Sequence, residues 1–397
     1  MLHRISVENF FSIADKQELD FTVADNAPDL PCFHRSRSKP DTRLPVVIGF
    51  FGANASGKTT ILRALTSAAS FSCNSVMPNE NNIQYFQAYR HKNWWNKPTK
   101  IMIEFDSHLS PDAPSVIFRY ELHIAHHGED FLKKTVPYEA LFYMPKGKAR
   151  LLFERQEQQF KFGEDFGISS SNEKKDSIRP DASVISTFAM LNHPICILLK
   201  KLVMSLQTNI WWLGKNHIQA SQWLFYYANN STCLEELNRE LRRFDIGIES
   251  MTIEQGPQGP FAKFQHVGLD GAIFIAEESQ GTQRFIEIFP LLYFALQTGS
   301  IAVIDEIDSD LHPLLLPELF RWFEDSARNP KVAQLLFTAH NPALLDDLEK
   351  EQVYFSEKSY GQSTQVYGAK DIKGLRREPS LMKKYLLGEL GSVPNIG

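Results

Sequence analysis

Gly52-Ala-Asn-Ala-Ser-Gly57-Lys58-Thr59 follows the apolar, β-branched run Leu44-Pro-Val-Val-Ile-Gly-Phe-Phe51 and precedes Ile61, Leu62, Leu65 and Ala69 at helical spacing. A strand buried on both faces, a glycine loop and a helix thus succeed one another in the order of a phosphate-binding loop. The glycines let backbone N–H groups turn inward at the helix N-terminus, where the helix dipole favours an anion. Lys58 would reach the terminal phosphates and the Thr59 hydroxyl would ligate Mg2+. The stretch predicts a nucleoside triphosphate, with Gly52, Asn54, Ala55, Ser56, Gly57, Lys58, Thr59 and Thr60 around it. An incidental glycine turn would not need the flanking strand and helix.

Gly299-Ser-Ile-Ala-Val-Ile-Asp305-Glu306 is an apolar strand ending in paired carboxylates, which is where an open parallel sheet places its chemistry. Asp305 is expected to hold Mg2+, and Glu306 to orient or deprotonate the attacking water. A further strand, Val332 to Phe337, ends in Thr338-Ala-His340. A lone histidine there would more often be structural; after a carboxylate pair it reads as a γ-phosphate contact. From Lys58 to Asp305 is 305 − 58 = 247 positions, so something large is inserted. Before the acidic strand, Glu278-Ser279-Gln-Gly281-Thr-Gln-Arg284 opens an apolar helix through Phe285, Ile288, Leu291 and Leu292. A Ser-x-Gly turn at a helix N-terminus is a second anion site, best used from across a dimer; a plain N-cap serine is the simpler alternative.

The 397 residues hold one large α/β domain with an insertion, or two ordinary domains. No apolar run approaches the ~20 residues of a membrane span. The alternating N-terminus, Met1-Leu-His-Arg-Ile-Ser-Val, has no secretory core, and a cytoplasmic location is expected. Cys32, Cys73, Cys196 and Cys233 have neither zinc nor disulfide spacing. A net charge of −5 gives no global attraction to nucleic acid, so a nucleic-acid partner is open but not indicated; basic clusters such as Arg90-His-Lys92 read as solvated surface.

Along the chain, residues 1–150 read as a β-rich N-terminal lobe carrying the phosphate loop. Residues 151–275 read as a mostly helical inserted arm with a β-hairpin, and 276–397 as a C-terminal lobe with the Ser-x-Gly turn, the carboxylates and His340. Gly163 to Ser183 reads as a mobile loop or linker, Thr232 as a helix N-cap, and Trp211, Trp212 and Trp223 as packing for the arm.

Together these residues resemble the ABC-type ATPases that include the SMC and Rad-type repair proteins, with phosphate loop, Ser279-x-Gly281, Asp305-Glu306, Asp308-Ser-Asp-Leu-His-Pro313 and His340 in that order. Asn54 is similar to the SMC and Rad-type loop, whereas Ala55 stands where that group usually has glycine. The nearer resemblance is to compact ATPases of phage-defence operons, the RloA, AbiLi or AbiEii-like kind, related to OLD and Septu. It rests on Ile5-Ser-Val-Glu-Asn-Phe-Phe-Ser-Ile13, Phe244-Asp-Ile-Gly-Ile248, Ile304-Asp-Glu-Ile-Asp308 with Leu311-His-Pro313, and Tyr385-Leu-Leu-Gly-Glu-Leu-Gly-Ser-Val-Pro394. The resemblance implies an α/β ABC-type head with a RecA-like core and ATP and Mg2+ as ligands. It further implies a homodimer or higher oligomer with two ATP in its seam, and control of a separate toxic effector encoded nearby. Only 397 − 340 = 57 residues follow His340, too few for the nuclease domain of OLD proteins. The class also uses a glutamine after the first helix to join Mg2+ and water, here Gln87 in preference to Gln84. A DNA-repair or DNA-structure-sensing ATPase is the alternative, and would want long coiled-coil arms that the chain's lack of sustained heptads does not supply.

Overall fold

The computed structural model describes residues 1–77, 86–127, 134–168, 173–211, 214–215, 220–244, 247–257, 259–359, 361–377 and 380–393. Two large sheets organise them. The first is antiparallel and seven-stranded, in the order Gln159–Phe162, Arg150–Gln156, Lys134–Met144, Val116–His126, Thr99–Ser107, Leu2–Glu8 and Gln17–Asp20. Val116–His126 alternates buried and half-exposed residues, as a strand with one face on a core must. The sheet continues to Phe162, so position 150 lies inside its extent.

The second sheet is six-stranded, in the order Gln207–Thr208, Ile301–Ile304, Gln334–Thr338, Val47–Phe51, Val353–Glu357 and Gln365–Gly368. All neighbours are parallel except the last pair. Val47–Phe51 and Gln334–Thr338 are buried at every position, which is why the first is apolar throughout and the second is apolar between Gln334 and Thr338. Successive side chains feed opposite layers. Ile48, Phe50, Val303, Leu336 and Tyr354 join the core shared with helix Lys58–Asn74 and the antiparallel sheet. Phe51, Ile304, Leu335, Phe337 and Phe355 join the core under helices Gln280–Thr298 and Leu315–Glu324. The parallel pairing Ile304↔Phe337 and Thr338↔Phe50 brings three strand ends side by side, so the loops that follow them must share one edge.

The inserted segment divides between these two cores. Helices Val184–Met190 and Pro194–Met204 pack on helix Lys58–Asn74. Helices Ala220–Asn229 and Ser231–Arg243, with the three-stranded sheet Ile248–Gly256, Gly259–His266 and Ala272–Phe274, pack on the other side, where Trp223 is buried. Trp212 and the Trp211 side chain lie outside the described residues. Thr232 is inside its helix, which begins one residue earlier behind Asn230, because the helical turn extends back through Ser231. In the described parts of the stretch from Gly163 to Ser183, residues 163–168 and 173–183, the chain is pinned more than linker-like. Phe166 is buried, and Arg155, itself fully buried, donates to Ala182 O at 2.7 Å and Arg179 O at 3.1 Å.

Wholly buried Glu139 fastens the end of that segment. Its carboxylate accepts Ser183 Oγ at 2.6 Å, Val184 N at 2.8 Å and Tyr120 Oη at 3.0 Å. Burial pushes the Glu139 carboxyl up from its ordinary value, against the pull of Arg155 and these donors. Near the other end of the chain, helix Leu381–Leu386 and left-handed Gly388 and Gly391 bring Ser392 to the phosphate loop, where Ala53 N donates to Ser392 O at 3.0 Å. A Cβ on Gly391 would stand 2.4 Å from Tyr367 Oη. Among the described residues no single helix is long and apolar enough to cross a membrane.

Removing a buried acceptor strands its donors. Glu139→Ala is expected to cost about 3–5 kcal/mol of stability, read as a lower urea midpoint at unchanged slope.

Candidate active site

The loop after Val47–Phe51 takes its shape from three residues with positive φ: Gly52 at 150°, Ala55 at 60° and Gly57 at 102°. A Cβ on Gly52 would lie 2.2 Å from Ser356 O, and one on Gly57 2.3 Å from Thr364 Oγ1, so neither position tolerates a side chain. Ala55 occupies the left-handed region at a cost of roughly 1 kcal/mol that glycine would not incur. Hydroxyls brace the loop from beneath: Ser56 Oγ meets Ser356 Oγ at 2.7 Å, Thr364 Oγ1 meets Ser56 O at 2.8 Å, and Ser12 Oγ meets Thr60 Oγ1 at 2.9 Å. Helix Lys58–Asn74 then starts with no side-chain cap and no acidic residue in its first turn. Thr60 N donates to Gly57 O at 2.9 Å, and the N–H groups of Lys58 and Thr59 at the start of the helix are left for an anion.

Lys58 is buried and donates to Gly52 O at 2.9 Å and Ala53 O at 3.1 Å. Burial lowers its ammonium pKa, while Asp305, Glu306 and Asp308 pull it back up. Thr59 Oγ1 donates to Asp305 Oδ1 at 2.7 Å, and Thr338 Oγ1 donates to the same oxygen at 2.6 Å. Thr338 Oγ1 also accepts Glu306 N at 2.7 Å. Asn209 brackets Asp305 from the arm: its Oδ1 accepts Asp305 N at 2.7 Å and its Nδ2 donates to Asp305 O at 3.0 Å. Glu306 sits at φ 48°, a left-handed turn that aims its carboxylate into the cleft instead of along the strand. His340 Nε2 stands 3.4 Å from Glu306 Oε1, and Asp308 Oδ2 accepts the N–H groups of His340 and Asn341 at 2.8 and 2.7 Å.

Of these groups Lys58, Thr59, Glu306 and His340 line a cleft of about 660 Å³, together with Ala55, Gly57, Thr60, Gln87, Phe11, Tyr89, Arg90 and Lys358, whereas Asp305 and Thr338 are buried and are not part of its lining. Gln87 therefore reaches the site; Gln84 lies outside the described residues. The loop around Gln87 is held by Asn9, fully buried at φ 53°. Asn9 Oδ1 accepts Tyr89 N, and its Nδ2 donates to Trp94 O and Lys97 O. Gly52, Asn54 and Ser56 belong to the loop without lining this cleft, Ser56 being buried beneath it.

Ser279 and Gly281 are absent from the cleft of their own chain. Ser279 is exposed and caps helix Gln280–Thr298 by accepting Thr282 N at 3.1 Å. Gly281 has a second reason to be glycine, since a Cβ there would stand 2.8 Å from Asp310 O. The turn is tied to the arm as well: His266 Nε2 lies 2.6 Å from Glu278 Oε1.

The residues present fit a triphosphate with Mg2+. Gly52 and Gly57 cannot accept a Cβ, the loop's lysine is buried beside carbonyls that an anion would replace, and Thr59 and Asp305 already touch. Among the described residues no three His, Cys, Asp or Glu side chains could hold a metal by themselves. Mg2+ would need phosphate oxygens and water beside Thr59 and Asp305, which suits an ion that keeps several waters.

Asn209, Thr338 and Asn9 escape a reading of local pattern because each acts on a residue far away in sequence. Asn209→Ala leaves the N–H and C=O of Asp305 unpaired; it should slow ATP hydrolysis at least about tenfold while Mg2+-free nucleotide binding, followed with a fluorescent analogue, stays within about threefold.

Solved structures similar to this chain include an SMC head domain from Thermotoga maritima, 13% identical, TM-score 0.42, covering 92% of this chain and 98% of that one. An SmcHead bound to the C-winged helix domain of ScpA is 13% identical at TM-score 0.47, covering 97% and 99%. An Smc head with an extended coiled coil, bound to the C-terminal domain of ScpA derived from Pyrococcus furiosus, is 12% identical at TM-score 0.45, covering 98% of both. No curated protein matches the chain by sequence. The family model described as "AAA domain, putative AbiEii toxin, Type IV TA system" matches residues 47–346, well over half of the chain, and the protein belongs to this family of nucleotide-binding ATPase domains.

Proposed function

We propose that the protein is a Mg2+-dependent ATP phosphohydrolase that closes as a head-to-tail homodimer around ATP and, through that closure, gates a separate toxic effector encoded nearby in anti-phage defence. The observation that carries the reading is the split of the anion-binding equipment. Lys58, Thr59, Glu306 and His340 line one cleft, while the exposed Ser279 turn lies outside it.

In the closed form, one chain's loop amides and Lys58 hold the triphosphate, and Ser279 and Gly281 of the facing copy complete the enclosure. Mg2+ beside Thr59 and Asp305 would neutralise charge on the phosphate oxygens. Glu306 then orients the attacking water and accepts its proton, with His340 at the terminal phosphate. Phosphoryl transfer is mostly positioning and charge stabilisation, so no covalent intermediate is required. The arm supports a gating role because Asn209 grips Asp305 and His266 meets Glu278 beside Ser279, so both halves of the split site are tied to it. A role in defence is supported by the family's description as an AbiEii-type toxin–antitoxin domain. Nothing in the cysteines opposes a cytoplasmic location: all four are free and buried.

Glu306→Gln keeps the nucleotide pocket and removes the base, so it should accumulate an ATP-bound dimer, whereas Lys58→Ala should remain monomeric. Light-scattering mass with and without ATP checks this, and equal behaviour of the two variants would refute the split-site reading. The acidic chain should bind bare duplex DNA only weakly at physiological salt. Tight, salt-sensitive binding in a fluorescence-anisotropy titration would favour a DNA-repair ATPase.

A further inference from the structure

Two short segments outside the nucleotide motifs carry opposite, unmixed charge. Residues 90–97, Arg-His-Lys-Asn-Trp-Trp-Asn-Lys, hold Arg90, Lys92 and Lys97 and no acid; residues 267–278, Val-Gly-Leu-Asp-Gly-Ala-Ile-Phe-Ile-Ala-Glu-Glu, hold Asp270, Glu277 and Glu278 and no base. The first segment begins at the rim of the nucleotide cleft, which it touches through Arg90. Arg90 lines the mouth and is exposed, and its single bond among the described residues is a long one, 3.3 Å from Nη2 to Gln87 Oε1. The rim is preformed, because Asn9 clamps Tyr89 N, Trp94 O and Lys97 O. The second segment leads directly into Ser279. Glu278 is already engaged by His266, whereas the exposed Glu277 carboxylate accepts, among the described residues, only the Phe274 N–H at 2.9 Å. Each segment also shows an aromatic ring to solvent: Trp95 is 45% exposed and Phe274 47%.

We infer that these segments are the two halves of a contact between copies of this chain, in which the basic rim of one protomer docks on the acidic strip of the other and Arg90 pairs with the partner subunit's Glu277. The inference rests on the proposed dimer and extends it from the phosphate-binding motifs to the cleft mouth and the strip that precedes Ser279. Head-to-tail closure carries the Ser279 turn to the mouth of the facing cleft, and the residues just before Ser279 necessarily arrive at the rim of that mouth. Arg90 then meets Glu277 where a basic segment faces an acidic one, with apolar rings beside them to exclude water. Each seam forms the contact once, so the dimer makes it twice. The same rim could draw a nucleic-acid backbone, but a strip of equal and opposite charge on the other half of the same split site favours a second copy.

The test uses charge reversal in the Glu306→Gln background with ATP. Arg90→Glu alone and Glu277→Arg alone each set like charges against each other in both seams, and each should weaken dimerisation at least about tenfold by light scattering. Mixed in equal amounts, the two variants make heterodimers whose seams are both complementary: one seam sets the two reversed charges against each other, and the other keeps the native pair of Arg90 and Glu277. Mass photometry with one variant size-tagged should show heterodimers in several-fold excess over either homodimer. A statistical mixture, or single variants that dimerise like the parent, would overturn the pairing. Loss of DNA binding in Arg90→Glu with an unchanged dimer would overturn it too and assign the rim to nucleic acid. If the Glu306→Gln parent itself fails to dimerise with ATP, the split-site reading falls instead, so the two failures are distinguishable.

Discussion

The Asp305 carboxylate is where the molecule converges. One oxygen accepts hydroxyls from Thr59, at the start of the nucleotide helix, and from Thr338, at the end of the next strand, while Asn209 holds the same residue's backbone from the inserted segment. A buried carboxylate needs such donors, since an unsatisfied charge in this setting would cost several kcal/mol. The need fixes the relative positions of the phosphate loop, the acidic turn and the edge of the arm. Any ligand that draws Thr59 or Asp305 toward itself must disturb all of them together.

That convergence depends on the parallel sheet. Adjacent, co-directional strands deliver Gly52, Asp305 and Thr338 to one edge, and the alternating side chains behind them anchor a core on each face. The inserted segment is divided between the same two cores, with its first helices against the nucleotide helix and its later helices and small sheet against the Ser279 helix. A change in the spacing of the layers would therefore be felt in the insertion on both sides of the sheet, which is the arrangement that shear between packed elements requires.

The nucleotide elements were legible in the sequence because their signals are local. Glycines at Gly52 and Gly57, an apolar strand before them and a helical period after them lie within a few residues of one another, and the acidic strand announces itself in the same way. What was not legible depends on partners brought together by folding. Asn209 stands 96 positions from Asp305, and Asn9 lies 85 and 88 positions from the carbonyls it holds. Nothing in their neighbourhoods marks either residue. The segment from Gly163 to Ser183 looked like a linker because it is polar; its anchors, Arg155 and Glu139, sit in strands of another element. The Ser-x-Gly turn was recognisable as a helix start and as an anion site set apart from its own chain's phosphate loop, and Ser279 and Gly281 do not line that chain's cleft.

The hydrogen bond from Ala53 to Ser392 stitches the far end of the described chain to the loop that would cradle phosphate. A fluorophore placed at Val393 would thus sit within one residue of that stitch, where it could register the loop's rearrangement as nucleotide arrives. Bulky affinity handles joined at the same spot would pull on the thread, so purification tags are better carried at an exposed loop well away from it.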